Sequence, residues 1–166
     1  MVRESPAGQG GAGYFSAIDP LQRIKVAENT HDLGEYLLKM HQDGELDTNF
    51  GNLEERVLYY PPCHLREQEI GMPYPALLAL VPGIFMESLK DNFYCCGMAG
   101  IMGCKRDFHT ASLRIGSRLI RKIKEIAPDR LSTDCLSCRL QFNQTTPYEV
   151  LHPVEILKMA YENKAA

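Results

Sequence analysis

The chain has 166 residues, 45% apolar and 23% charged, with a formal net charge of −3, the composition of a soluble globular domain able to bury a core. That charge, with no stretch loaded with Lys and Arg, argues against nucleic acid as a partner. The longest apolar run, Ala76 to Val81, is far short of a bilayer span, and the opening MVRESPAGQG holds no apolar signal core, so the expected location is the cytoplasm.

In chain order, residues up to about 20 are rich in Gly, Ser and Pro and read as a poorly ordered or extended arm, 1–25, ahead of a single domain over 26–166. Asn29, Thr30 and Asp32 offer caps for a helix through LGEYLLKMH, whose Leu33, Tyr36, Leu37 and Met40 share a face. From Arg56 the pattern alternates strand and helix. Arg56 to Tyr60 is a short apolar and aromatic run ended by Pro61 and Pro62, as expected of a buried strand. A helix is expected within Pro75 to Val81 and a second strand over Ile84 to Leu89. The plainest helix runs from Phe108 to Ala127, with Asp107 as its cap and Leu113, Ile115, Leu119, Ile120, Ile123 and Ile126 as its apolar stripe. A third strand over Arg130 to Asp134, a helix from Cys135, a fourth strand through YEVLH and a helix opened by Pro153 complete the series. The fold class is therefore α/β: a mainly parallel sheet of about four strands flanked by helices.

In such sheets sites gather at the carboxyl ends of the strands, and the cysteines fall there. Cys63 follows the first strand, Cys95 and Cys96 the second, and Cys135 the third, with Cys138 one helical turn on. In a reducing compartment this pattern reads as metal or redox chemistry rather than as disulfides. Cys135 and Cys138 have the CxxC spacing that turns two sulfurs toward one metal, and five thiolates exceed the need of one tetrahedral zinc, which favours an iron–sulfur cluster. Gly97 and Gly100, in the small-residue stretch after the pair, let backbone approach an inorganic core and aim N–H groups at its sulfurs. Cys104 lies outside the set and reads as a free thiol. His64 is either a supporting group of the site or the cap of the following helix, and His152 reads as a structural histidine. Met72, Met86, Met98 and Met102 read as core filler.

The segments Tyr60-Pro61-Pro62-Cys63-His64, Cys95-Cys96-Gly97-Met98-Ala99-Gly100 and Thr133-Asp134-Cys135-Leu136-Ser137-Cys138 resemble the cysteine-rich CCG domain. That domain occurs in subunits of heterodisulfide reductase, in the iron–sulfur subunits of glycolate oxidase and in a subunit of anaerobic glycerol-3-phosphate dehydrogenase. The last part of the glycerol-3-phosphate dehydrogenase type is the most similar. The resemblance runs from about Val26 to the C-terminus. It implies a non-cubane [4Fe-4S] cluster on Cys63, Cys95, Cys96, Cys135 and Cys138, or zinc as in some members. It further implies an electron-transfer role as a redox subunit rather than a self-sufficient enzyme, with no catalytic residue of its own. Cluster-based disulfide reduction and a zinc-stabilised interaction module are the other roles it admits. The implied partners are a flavoprotein dehydrogenase subunit or another iron–sulfur subunit, with membrane association only through them. Family subunits usually carry two CCG domains and often a ferredoxin-like region. One CCG copy and no ferredoxin motif are found here, which leads one to expect a C-terminal portion.

Overall fold

The computed structural model describes residues 18–89 and 94–164. Residues 1–17, most of the expected arm, lie outside the described residues.

Four strands, β1 (Glu55–Tyr59), β2 (Ile84–Ser88), β3 (Arg130–Ser132) and β4 (Glu149–Leu151), form one sheet in the order β2-β1-β3-β4. All neighbours are parallel, with Leu58 opposite Leu131 and Leu131 opposite Val150. Parallel neighbours need crossover helices. These are α3 (Cys63–Glu67) and α4 (Pro73–Leu78) after β1, α5 (Arg106–Ile126) after β2 and α6 (Leu136–Thr145) after β3; α7 (Pro153–Asn163) follows the last strand, β4. Two more helices, α1 (Pro20–Glu28) and α2 (Leu33–Gln42), precede the sheet.

Strand side chains alternate between faces, and β1 divides the core accordingly. Leu58 and Tyr60 join Leu131 and Val150 on the face covered by Leu119 and Ile123 of α5 and Phe142 of α6. Val57 and Tyr59 meet Tyr74, Leu77 and Leu78 of α4 and Ile156, Leu157 and Ala160 of α7 on the other. The result is three layers, helix–sheet–helix.

The chain first moves outward from β1 to β2, then returns to the far side of β1 to lay down β3. The strand order reverses between β1 and β3, and at such a switch point the connections diverge to opposite faces and leave a crevice. Cys63 opens α3 beyond β1, and Cys135 stands at the N-cap of α6 beyond β3.

Three expectations change on inspection. The long helix opens at Arg106 rather than Phe108, and Asp107 lies in its first turn, where its charge still meets the helix dipole. Its buried positions are Ser112, Gly116, Leu119 and Ile123, so the apolar stripe is rotated and Ile115 is 58% exposed. Small residues lead that face because a loop, not a side-chain layer, packs there. Met98 is fully buried, whereas Met102 faces solvent.

Candidate metal centre

Cys63 and Cys135 stand where a strand gives way to a helix, and Cys138 lies in the first turn of α6. Cys63 is the first residue of the five-residue α3, directly after Pro61 and Pro62, and prolines fit the approach to a helix start. Cys95 and Cys96 lie on the loop after β2, which docks on α5 by backbone contact. At Gly97 a Cβ would stand 2.1 Å from the carbonyl oxygen of Ser112, and at Gly116 one would stand 2.3 Å from that of Cys96. Gly97 also has φ of +94°, a region costly to other residues. The glycines of loop and helix interlock, and Gly97 serves this approach with its α-carbon. Its N–H lies 3.3 Å from Cys95 Sγ, so the same residue donates toward a thiol. Gly100 supplies a left-handed turn, φ +67°, in open space.

The structure brings Cys96 and Cys138 together: the Cys138 thiol donates to Cys96 Sγ at 3.1 Å, in the buried core. Cys138 also stands beside Cys135, the N-cap of the same helix, and its thiol favours the Cys135 thiolate. The Cys135 thiol is thereby drawn down to about 5, against the effect of burial, with the backbone N–H groups of Cys138 and Ser137 and the nearby His64 assisting. The Cys96 thiol is lowered for the same first reason, opposed by burial and helped by the Met98 N–H. Cys138 is raised, because Cys135, Cys96 and burial all favour its protonated form. Burial raises Cys95 too, and the Gly97 N–H works against this while Cys96 and Cys63 add to it as like charges. Cys63 and Cys95 are exposed, Cys135 is partly so, and Cys96 and Cys138 are buried. Among the described residues no three Cys, His, Asp or Glu side chains close into a ready-made cage for one ion. By mutual electrostatic influence the thiols form a file, Cys63 with Cys95, Cys95 with Cys96, and Cys96 and Cys135 with Cys138.

This donor set suits a thiophilic metal. Two sulfurs on one tetrahedral metal at ordinary Zn–S lengths lie about 3.8 Å apart, so the 3.1 Å Cys96–Cys138 pair needs only a small outward shift. Backbone N–H groups already face three of the sulfurs, the arrangement that stabilises thiolate ligands. Gly97 and Gly116 supply the close backbone approach, though toward α5.

Cys104 is exposed, and its Sγ lies 3.8 Å from Met98 Sδ. His152 caps α7: its Nδ1 accepts from the Val154 N–H at 3.1 Å while Glu155 accepts from the His152 N–H. Arg139 pairs with Glu155 at 2.7 Å. Two further neighbours of the site carry little mark in the sequence. Tyr60, buried beneath the thiols, donates its hydroxyl to the Tyr94 carbonyl at 2.9 Å; burial, and then the negative charge of Cys138, Cys96 and Cys95, pushes its own ionisation up. The Asp134 side chain, one residue before Cys135, is turned inward. Position at a strand end beside a ligand is the only signal for either.

A three-layer parallel α/β domain thus carries cysteines beyond β1, β2 and β3, with Cys96 and Cys138 in direct contact. The chain belongs to the CCG cysteine-rich domain family, which it matches over residues 57–143. It is 33% identical over 105 residues to a subunit of the anaerobic glycerol-3-phosphate dehydrogenase of Escherichia coli K12, a match covering 63% of this chain and 26% of that protein. It is 26% identical over 148 residues to a subunit of the fumarate reductase (CoM/CoB) of Methanothermobacter marburgensis, covering 85% of this chain and 29% of the relative. With lactate utilization protein A of a Geobacillus species it shares 28% over 144 residues, covering 80% of this chain and 56% of that one. The chain thus spans only about a quarter to a half of these relatives. No helix among the described residues is long and apolar enough to cross a membrane.

Proposed function

We propose that Cys63, Cys95, Cys96, Cys135 and Cys138 hold an iron–sulfur cluster, of the non-cubane [4Fe-4S] type, and that the chain is an electron-transfer module of an oxidoreductase complex. The observation that carries this reading is the contact of Cys96 with Cys138 at 3.1 Å between elements 42 residues apart, with Cys135 at the N-cap of the same helix as Cys138. The cluster supplies one-electron redox chemistry when bound. The chain's own residues do the rest. Gly97 and Met98 point N–H groups at the sulfurs, which favours the more negative, reduced state. Tyr60 and Phe142, stacked edge to face at 5.3 Å, close the floor of the site against water, while Cys63 and Cys95 mark its solvent-facing side.

The names of the relatives, subunits of a dehydrogenase and of reductases, support a partner that is a flavoprotein dehydrogenase subunit or another iron–sulfur subunit. A complex of the anaerobic glycerol-3-phosphate dehydrogenase type is the parent assembly this reading favours, in the cytoplasm or at the inner membrane face through its partners. Protein purified without oxygen should be brown and contain about four irons per chain. Colourless protein with stoichiometric zinc and no iron overturns this reading in favour of a zinc-stabilised module, for which four sulfurs suffice. Because one relative belongs to a heterodisulfide reductase, the loaded protein should also be offered a disulfide and a chemical electron donor. Turnover there assigns catalysis in place of simple electron carriage.

A further inference from the structure

Asp134 is a carboxylate that ordinary packing does not explain. Its side chain is 5% exposed, and burying a charge is costly unless it is paired. Oδ1 accepts from the hydroxyl of the fully buried Tyr59 at 2.8 Å. That bond needs only an oxygen, and an amide would serve. Oδ2 faces His64 Nε2 at 3.6 Å, beyond hydrogen-bond length but within electrostatic reach. It is this second contact that a charge improves.

The two contacts straddle the strand-order reversal. Tyr59 ends β1, His64 lies in α3, and Asp134 follows β3. Asp134 is bonded in sequence to Cys135, and His64 to Cys63. A single side chain therefore links the two turns that carry the first and fourth candidate ligands. α3 needs such a link. It has five residues, no side-chain cap at Pro62 and one buried residue, Leu65, and so short a helix is not stable by itself.

We propose that Asp134 is a positioning residue of the metal site, bridging Tyr59 and His64 so that Cys63 is held within reach of the metal that the other thiols bind. The proposal rests on the metal-site reading above.

The test uses the full chain, reduced and metal-free, titrated with Co2+ under exclusion of oxygen; the intensity of thiolate-to-cobalt charge transfer per bound ion follows the number of sulfurs. Asp134→Asn keeps an acceptor for Tyr59 and removes the charge. Its Co2+ affinity should fall on the order of tenfold, and its charge-transfer intensity should drop to that of Cys63→Ser. Combining Asp134→Asn with Cys63→Ser should cost little more than Cys63→Ser alone, since both remove the same ligand. Without any metal, amide exchange at residues 65–68 should quicken in Asp134→Asn while α5 stays protected. Wild-type affinity and intensity in Asp134→Asn overturn the proposal, as does equal loss of protection in α3 and α5, which is general loosening. Should Asp134→Asn not fold, His64→Gln, at a side chain 46% exposed, carries the same comparisons. Failure of the wild type to bind Co2+ through thiolates removes the metal-site reading instead, and the metal-free exchange data then decide whether Asp134 holds α3.

Discussion

A thiol's chemistry depends on who holds the proton, and here Cys138 keeps its own beside two neighbours, Cys96 and Cys135. Cys135, drawn down to about 5 by that proton and by the first N–H groups of α6, is a thiolate at pH 6, where an ordinary cysteine of pKa about 8.5 is almost wholly protonated. In the metal-free chain, iodoacetamide should label Cys135 at a rate nearly flat from pH 6 to pH 8, whereas an ordinary thiol speeds up about tenfold per pH unit there. Peptide mapping by mass spectrometry checks this; a tenfold rise per unit at Cys135 contradicts this arrangement. The same neighbourhood separates ligands from bystanders. Cys96→Ser or Cys95→Ser should lower iron content sharply in anaerobically prepared protein. Cys104→Ser should leave it nearly unchanged, because Cys104 touches Met98 rather than the thiol file. Iron loss in Cys104→Ser as deep as in Cys96→Ser removes the five-ligand assignment.

Between elements, the closest fit is the loop of Cys95 and Cys96 against α5. Gly116→Ala in a helix interior ordinarily gains up to about 1 kcal/mol. Here the new Cβ meets the Cys96 carbonyl at 2.3 Å, and neither helix nor loop backbone yields cheaply. The sign therefore inverts, and a loss of about 2 kcal/mol or more is expected in urea unfolding. Gly97→Ala should lose at least as much, since a left-handed φ is added to a 2.1 Å approach. A variant as stable as the wild type means that the loop does not dock in this way. The helix cap at His152 gives the pH dependence. Burial lowers its pKa, so its contribution is complete above the unfolded value of about 6.5 and is lost as pH falls through the folded one. Protonated Nδ1 also cannot accept from Val154. His152→Asn keeps a cap without the titration, so the wild type should lose more melting temperature than this variant between pH 7 and pH 5; parallel curves exclude the cap as a source. These contacts also divide what could be read in advance from what could not. Four strands and the cysteines at their ends were legible because apolar runs such as Val57 to Tyr60 end at prolines or turns. α3 was not, since five residues carry no helical period, and the stripe of α5 was misplaced because its docked face is Ser112 and Gly116 rather than leucine or isoleucine. Asp134 meets Tyr59 across 75 residues, a contact that no local pattern announces.

For the molecule as a whole, the question is how far the fold depends on metal. Both faces of the sheet carry their own apolar cluster, and the thiols enter only one of them, through Cys96, Cys138 and the adjoining Cys135. Burial of Leu58, Leu119, Ile123, Leu131 and Phe142 proceeds without any ion. The metal-free chain should therefore keep its far-UV circular dichroism, unlike small zinc modules that unfold without their ion. Stability is another matter, because a metal bound only by the folded chain ties loops after β1, β2 and β3 into one unit. At a free metal concentration about a thousandfold above Kd, linkage contributes roughly 4 kcal/mol. For a domain of this size each kcal/mol moves the midpoint by about 3 °C, so loading should raise Tm by roughly 10 °C. In Cys63→Ser the rise should shrink but survive, because Cys96, Cys135 and Cys138 remain close together beyond β2 and β3. Calorimetry of loaded and metal-free protein decides it: equal midpoints mean that the thiols do not act as one site, and loss of the dichroism on metal removal means that the two clusters cannot hold the sheet unaided.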